Sequence, residues 1–378
     1  MADLKSGDNC CGCSACYAAC PVSAISMQPD GMGFLYPVID PALCVECGMC
    51  EKVCSFSRSE STGQVDKLPK AYAARHIDMQ EVNTSRSGAC FVALSDHILA
   101  QGGIVYGAGF KDRFVVTHKR AADKEQRQEF KGSKYVQSDM RDALVSLKED
   151  LISGKHVCFS GTPCQIAAVR SLIPAKYHER LYLIDIVCHG VASPDVWQSY
   201  MTYIEKKYRG RIESLNFRDK IRFGWKDHRE TFVVRGKPRS PKKTFYQDIY
   251  LRPSCSNCCY TNLNRPSDIT IADFWGIEKV APEYNQDDKG CNLLIVNTSK
   301  GQNWLGDVVS KLDVKEVRIE DSLQYNLQFP TERHPQSSAF ASDYQRFGFS
   351  YAMKKYCGWG TWNRTKRFLN RVISKIVR

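Results

Sequence analysis

The sequence predicts a small, cysteine-dense α+β module followed by a larger α/β domain with a largely parallel or mixed sheet. Three observations carry this. Residues 1–56 hold nine cysteines, eight of them in two equally spaced runs separated by short turns. Residues 57–70 (SRSESTGQVDKLPK) are polar and aperiodic, which reads as a linker. From about residue 71 strand-like and helix-like segments alternate, the pattern of an α/β body.

The first unit rests on spacing. Its runs are Cys10-x2-Cys13-x2-Cys16-x3-Cys20-Pro21 and Cys44-x2-Cys47-x2-Cys50-x3-Cys54. This is the two-cluster bacterial ferredoxin pattern, in which the fourth cysteine of each run serves the other cluster. Three thiolates two residues apart wrap one face of a cubane, and the fourth, on a following helical turn, points away. The spacing therefore assigns Cys10, Cys13, Cys16 and Cys54 to one [4Fe–4S] cluster and Cys44, Cys47, Cys50 and Cys20 to a second, in a ferredoxin-like fold over residues 1–56. Gly12 and Gly48 fall inside the loops, where a missing Cβ lets the backbone approach sulfur. A zinc module built on paired CxxC fits less well, because zinc takes four ligands with a wider gap between the pairs. Cys54 is followed by Ser55 where proline is usual, and Cys11 stands outside the pattern as a bystander.

In the second unit AYAARH, GIVYGAGF, KHVCFS, LYLIDIV, SDITIADF and CNLLIVN read as strands. GACFVALSDHILAQ, SDMRDALVSLKEDLIS, CQIAAVRSLI and SPDVWQSYMTYIEKKY read as helices. Ser138 or Asp139 is expected to cap the second of these, and Ser193 with Pro194 the fourth. KHVCFS turns through Gly161-Thr162-Pro163 into a helix near Cys164, so the turn offers N–H groups and a positive dipole end suited to a pyrophosphate. Cys164 and Cys188 both lie at the carboxyl ends of strands, the face where open α/β sheets place ligands, and Cys255 and Cys258 form a CxxC. On the residues alone, Cys164 and Cys188 also suit small buried packing positions. No G-x-G-x-x-G follows a strand and no P-loop is present, so nicotinamide binding through a Rossmann turn lacks support.

GSKYVQS (132–138), FSGTPCQIAA (159–168), DIVCHGVASP (185–194), RPSCSNC (252–258) and SDITIADFWG (267–276) occur in one order. This set resembles the family of coenzyme F420 hydrogenase and dehydrogenase β-subunits over about residues 71–335. The resemblance implies FAD together with iron–sulfur clusters, and electron exchange between a deazaflavin or another partner and a redox chain. It implies a third [4Fe–4S] cluster on Cys164, Cys188, Cys255 and Cys258, with Cys259 as a competitor for Cys258. It implies FAD contacts at Ser87 and Gly88, Ser133 and Lys134, and Gly161, Thr162 and Gln165. The family tends to Ser-Gly-Gly where this chain has Ser87-Gly88-Ala89. Cys90, Cys158, Cys291 and Cys357 remain as core or surface thiols.

Composition bounds the rest. Hydrophobic residues make up 43% and charged residues 25% of 378, ordinary for a globular chain. Eighteen cysteines in tight groups suit metal ligation in a reducing compartment. With no apolar leader in MADLKSGDNCCGC and no long apolar run, the expected location is the cytoplasm. The net charge of +12 is local: residues 354–378 carry eight basic residues and no acid, and RGKPRSPKK (235–243) carries five more. That argues against a nucleic-acid surface. Residues 336–378 form a basic tail, and within it 361–378 place apolar side chains near helical spacing between the basic ones, which suits peripheral contact with an anionic inner-membrane surface. The expected activity is electron passage between ferredoxin-type clusters and FAD, with hydride exchange at the flavin. The alternatives are a non-catalytic electron-carrier subunit, or a reductase of a surface-polysaccharide intermediate.

Overall fold

The computed structural model describes residue 4 and residues 7–57, 69–241 and 245–359. Its centre is an eight-stranded mixed sheet built from β3 (Lys70–His76), β4 (Ile104–Lys111), β5 (Val115–Ala121), β6 (Val157–Gly161), β7 (Leu181–Ile186), β11 (Ile269–Asp273), β12 (Asn292–Val296) and β13 (Leu312–Val317), in the order β13-β3-β12-β11-β7-β6-β4-β5. β4, β6, β7 and β11 run parallel, and antiparallel strands flank them on both sides. All six strand-like segments form strands here. β5 (VVTHKRA) and β13 (LDVKEV) join them although their charges hide the period, because each lies at a sheet edge.

Alternation explains the layers. Val157, Phe159, Leu181 and Leu183 face helices Arg141–Ile152 and Pro163–Leu172. Cys158 and Ile184, one residue on, join the opposite core with helices Cys90–Ala100 and Ser299–Val308. Side chains one apart on a strand point to opposite faces, so both faces are buried and the run reads as continuously apolar. A third core lies under helices Pro194–Tyr208 and Ser337–Tyr356 and a small sheet of β8 (Ile212–Asn216), β9 (Thr231–Val234) and β10 (Lys237–Arg239). The basic stretch at 235 begins as the two-residue hairpin turn joining β9 to β10, with Arg235 and Gly236 at φ 55° and 64°.

Two helix starts compare differently with expectation. Ser193 accepts from the Val196 N–H at 3.0 Å ahead of Pro194, as its sequence suggests. Helix Arg141–Ile152 instead has Met140 as its N-cap. Asp139 accepts from the Arg141 N–H at 3.0 Å and pairs with the Arg141 guanidinium at 2.7 Å, and Ser138 turns inward to His118.

The N-terminal residues make a hairpin of β1 (Ile25–Pro29) and β2 (Leu35–Ile39) between two short helices, Ala15–Ala19 and Met49–Lys52. Ala15 and Val53 enter the core formed by the helices at 141–152 and 163–172, so these residues pack directly on the sheet domain. Among the described residues no helix is long and apolar enough to cross a membrane. The stretch 361–378 lies outside the described residues.

Candidate metal and cofactor site

Three groups of cysteines come together. Cys54 lies within electrostatic reach of Cys10 and Cys16, beside Cys13. Cys20 lines a small cleft with Cys44, Cys47 and Cys50. Each run thus sends its last thiol to the other run. Local backbone makes this geometry: Gly12 and Gly48, at φ 67° and 69°, turn the loops through the left-handed region. The Gly12 N–H then donates to Cys10 Sγ at 3.4 Å, and the Ala24 N–H to Cys20 Sγ at 3.2 Å.

The third group is Cys164, Cys188, Cys255 and Cys258. Cys164 opens the helix after β6, and Cys188 follows β7, the adjacent parallel strand. Cys188 feels Cys255, Cys164 and Cys258, and burial holds its thiol well above the ordinary range. Burial also pushes Cys255 up to about 11 and Cys258 up to about 12. Cys259 is part-buried and turned toward Tyr260. Among the described residues no three His, Cys, Asp or Glu side chains converge as they do round a single ion. All eighteen cysteines are outside disulfides. Backbone N–H groups of Gln165, Gly190, Val191 and Tyr260 face the four sulfurs. Thiols crowded together in an apolar site and supplied with N–H donors suit a positively charged core that accepts them as thiolates.

Cys11 corrects its bystander reading. It is buried, and its S–H sits between the sulfurs of Cys13 and Cys164, holding Cys13 down and lowering Cys164 to about 7. It joins the N-terminal thiols to the body group. No spacing rule could have found it, because Cys164 is contributed by a helix far along the chain.

A cavity of about 600 Å³ opens at the carboxyl ends of the parallel strands, with Gly161, Val187 and Asp273 in its wall. That volume is within the usual range of cofactor sites. Ser87, Ser133, Lys134, Gly161, Thr162 and Gln165 all line it, and so does Cys188. Gly88 is not in the wall. It packs on β3 and β12, where a Cβ would stand 2.5 Å from the Ala74 carbonyl oxygen and 2.8 Å from the Asn292 nitrogen. Ala89 beside it is left-handed, at φ 64°, a conformation that suits the glycine expected there.

The helix at Pro163 offers fewer open donors than expected. Pro163 has no N–H, and a capping box ties Thr162 to Gln165, with the Thr162 N–H donating to Gln165 Oε1 at 3.0 Å. The Thr162 hydroxyl instead lies 3.2 Å from Cys164 Sγ. Gln165 then donates to Ser138 Oγ at 2.9 Å, and Ser138 lies 2.9 Å from His118 Nδ1. His118 Nε2 meets the Ser160 carbonyl at 3.0 Å, so Nε2 carries the proton and Nδ1 accepts from Ser138. Burial lowers His118 to about 4, leaving a neutral ring stacked 4.9 Å from Phe159. Sequence reading missed His118.

Lys134 donates to the Glu129, Lys131 and Gly132 carbonyls, and burial brings its ammonium down to about 7. Farther along, Arg218 pairs with Asp273 at 2.5 Å, donates to the Tyr135 hydroxyl at 3.1 Å and lies 5.2 Å from the Trp275 ring centroid. The His189 Nε2–H donates to Asp248 Oδ1 at 2.8 Å, and that carboxylate raises the imidazole. Residues 235–241 do not reach this cavity.

Residues 154–322 match the family described as the C terminus of the beta subunit of coenzyme F420 hydrogenase/dehydrogenase, and residues 9–57 match the 4Fe-4S dicluster domain. The F subunit of the F(420)H(2) dehydrogenase from Methanosarcina mazei is 22% identical over 332 residues, which is 84% of this chain and 87% of that relative. A solved chain of the F420-reducing [NiFe] hydrogenase complex from Methanosarcina barkeri is 18% identical with a TM-score of 0.46, over 75% of this chain and 90% of its own length.

Proposed function

We propose, for a chain whose residues 154–322 match the C terminus of coenzyme F420 hydrogenase/dehydrogenase beta subunits, an iron–sulfur flavoprotein oxidoreductase that exchanges hydride with a deazaflavin or other organic substrate. In this reading residues 1–56 are a two-cluster ferredoxin-type module, 57–70 a linker and 71–335 the flavin- and cluster-bearing domain; of the basic stretch 336–378, helix Ser337–Tyr356 packs on that domain instead of forming a tail. The observation that carries it is an unbroken line of thiols. Cys188 stands in the wall of the 600 Å³ cavity, Cys164 is its neighbour, and Cys11 touches both Cys164 and Cys13.

When bound, a flavin supplies two-electron exchange that can also proceed in single steps, and [4Fe–4S] clusters supply one-electron transfer. The chain's own residues do the rest. Ser133 and Lys134 would hold the anionic part of the cofactor, since the Lys134 ammonium already lies at the cavity wall among carbonyls. Ser87, Gly161, Thr162 and Gln165 would bound the ring system. Gly88 acts one step back, by letting the Ser87 loop lie against β3 and β12. Neutral His118 keeps a fixed hydrogen-bond direction along the wall and adds no charge to it. At the helix start the Gln165 N–H faces the Cys164 sulfur, which favours a thiolate there.

Anaerobically purified protein should contain about twelve iron and twelve sulfide per chain, and Cys164→Ser should lower each by about four. Eight in the unaltered protein, or unchanged iron in the variant, rejects the third cluster. Failure of flavin to co-purify or reconstitute, or of reduced F420 and NAD(P)H to bleach it, rejects the flavoenzyme reading. The second reading, an electron carrier within a larger complex with a redox partner protein, is favoured by the relative named as one subunit of a dehydrogenase. Turnover by the isolated chain with one donor and one acceptor separates the two.

A further inference from the structure

Arg252 is buried to 1% exposure, and among the described residues its side chain hydrogen-bonds to carbonyl oxygens and not to a carboxylate. A buried guanidinium without a counter-charge is costly, so the site must offer negative charge by other means. Its hydrogen bonds all go to neutral groups. Nε donates to the Cys10 carbonyl at 2.8 Å, Nη1 to Gln137 Oε1 at 2.7 Å and Nη2 to the Leu35 carbonyl at 3.0 Å, with the Tyr36 ring centroid 4.4 Å from Cζ.

What surrounds it is sulfur on two sides. Toward the N-terminal module, Nη1 comes within 2.6 Å of where a Gly12 Cβ would sit, inside the Cys10–Cys13 loop. Toward the body, the Arg252 N–H donates to the Val191 carbonyl at 2.9 Å, just beyond Cys188, and the Arg252 carbonyl accepts from the Cys255 N–H at 3.0 Å. Its charge favours the thiolates of Cys10, Cys13, Cys164 and Cys255. Those four belong to two different groups. Cys20, Cys44, Cys47 and Cys50 line a separate cleft whose wall does not include Arg252.

We propose that Arg252 is the shared counter-ion of two clusters, the one on Cys10, Cys13, Cys16 and Cys54 and the one on Cys164, Cys188, Cys255 and Cys258, and that it raises the reduction potential of both above what their thiolates alone give. Four thiolates around a cubane leave net negative charge that grows by one on reduction, so a fixed cation between two cubanes stabilises the reduced form of each. Gln137 completes the arrangement by donating to the Cys11 carbonyl at 3.0 Å while accepting from Arg252, which fixes the guanidinium against the loop. Arg252 is a positioning and electrostatic residue, acting on the clusters through space. The proposal rests on the three-cluster reading above.

The test is a redox titration of anaerobically purified protein followed by electron paramagnetic resonance, with Cys164→Ser and Cys44→Ser samples assigning the signals. In iron-replete Arg252→Gln the reduced-to-oxidised ratio of the two flanking clusters at fixed potential should fall about tenfold, ~59 mV for a one-electron couple. The Cys44 cluster should not move, and Arg252→Lys should restore most of the difference. If Arg252→Gln fails to hold iron, Gln137→Glu places a carboxylate on Nη1, cancels the charge in place and should give the same selective fall. Midpoints unchanged in the loaded variants, or all three falling together, overturn the counter-ion role. If unaltered protein carries only eight iron, the third-cluster reading fails and takes the shared role with it, whereas twelve iron with unmoved midpoints overturns the counter-ion role alone.

Discussion

Gly12 and Gly48 occupy equivalent places in the two cysteine runs, and alanine at each should separate two costs. Both are left-handed, at φ 67° and 69°, so alanine at either costs about 1–2 kcal/mol from backbone strain. At Gly48 a Cβ meets nothing within 4 Å, and that is the whole expected effect. At Gly12 the Cβ would stand 2.5 Å from Gln137 Nε2 and 2.6 Å from Arg252 Nη1. Neither side chain is free to swing, because Arg252 is held at 2.8, 2.7 and 3.0 Å and Gln137 at 3.0 Å by partners on separate segments. Overpacking of this kind adds about 1–3 kcal/mol. Gly12→Ala should therefore lose about 2–5 kcal/mol against about 1–2 kcal/mol for Gly48→Ala. The assay is anaerobic denaturant unfolding of cluster-loaded protein, read by circular dichroism and by cluster absorbance. Equal losses in the two variants would show that the Cys10–Cys13 loop is not clamped by the body, and would refute the reasoning.

Gly88→Ala should destabilise the sheet domain by about 3 kcal/mol, because the added methyl meets backbone atoms of Ala74 and Asn292 that cannot yield; a melting temperature within a degree of the original rules this out. His118, with a folded value of about 4, binds a proton more weakly in the native than in the unfolded state. Its contribution is intact above the unfolded value of about 6.5 and is lost as pH falls toward 4, by up to about 3 kcal/mol. His118→Gln should flatten that part of the stability-against-pH curve, and an unchanged slope counts against a buried neutral ring. The iron counts for Cys164→Ser and the selective shift in Arg252→Gln complete the set.

Much of the site could be read from the chain because cluster ligands are local. Three thiols of each N-terminal group fall within seven residues, so spacing alone groups them. The central strands were equally legible: buried on both faces, they are runs of β-branched and aliphatic residues between turns. β13 was not, since only Leu312 is buried in it and its exposed positions carry Asp313, Lys315 and Glu316. The helix cap at Ser138 failed because a tertiary partner, His118, outbid the local N–H. Arg252, Gln137 and Cys11 were invisible for a related reason. Each has a partner more than a hundred residues away (Cys10 for Arg252, Cys11 for Gln137, Cys164 for Cys11), and nothing periodic marks a contact of that range.

β3 lies between β12 and β13, with Ala71 opposite both Ile295 and Val317. On the ribosome, residues 70–76 emerge long before either neighbour exists. At about 5–20 residues per second the wait is on the order of ten to forty seconds. A nascent chain stopped short of Leu312 leaves that segment bordered on one side only. The paired cysteine runs, whose exchanged thiols all lie between Cys10 and Cys54, are by contrast complete while most of the polypeptide is still unmade. Metal loading of the module can thus precede closure of the sheet, and the earliest strand of the body is among the last to be seated.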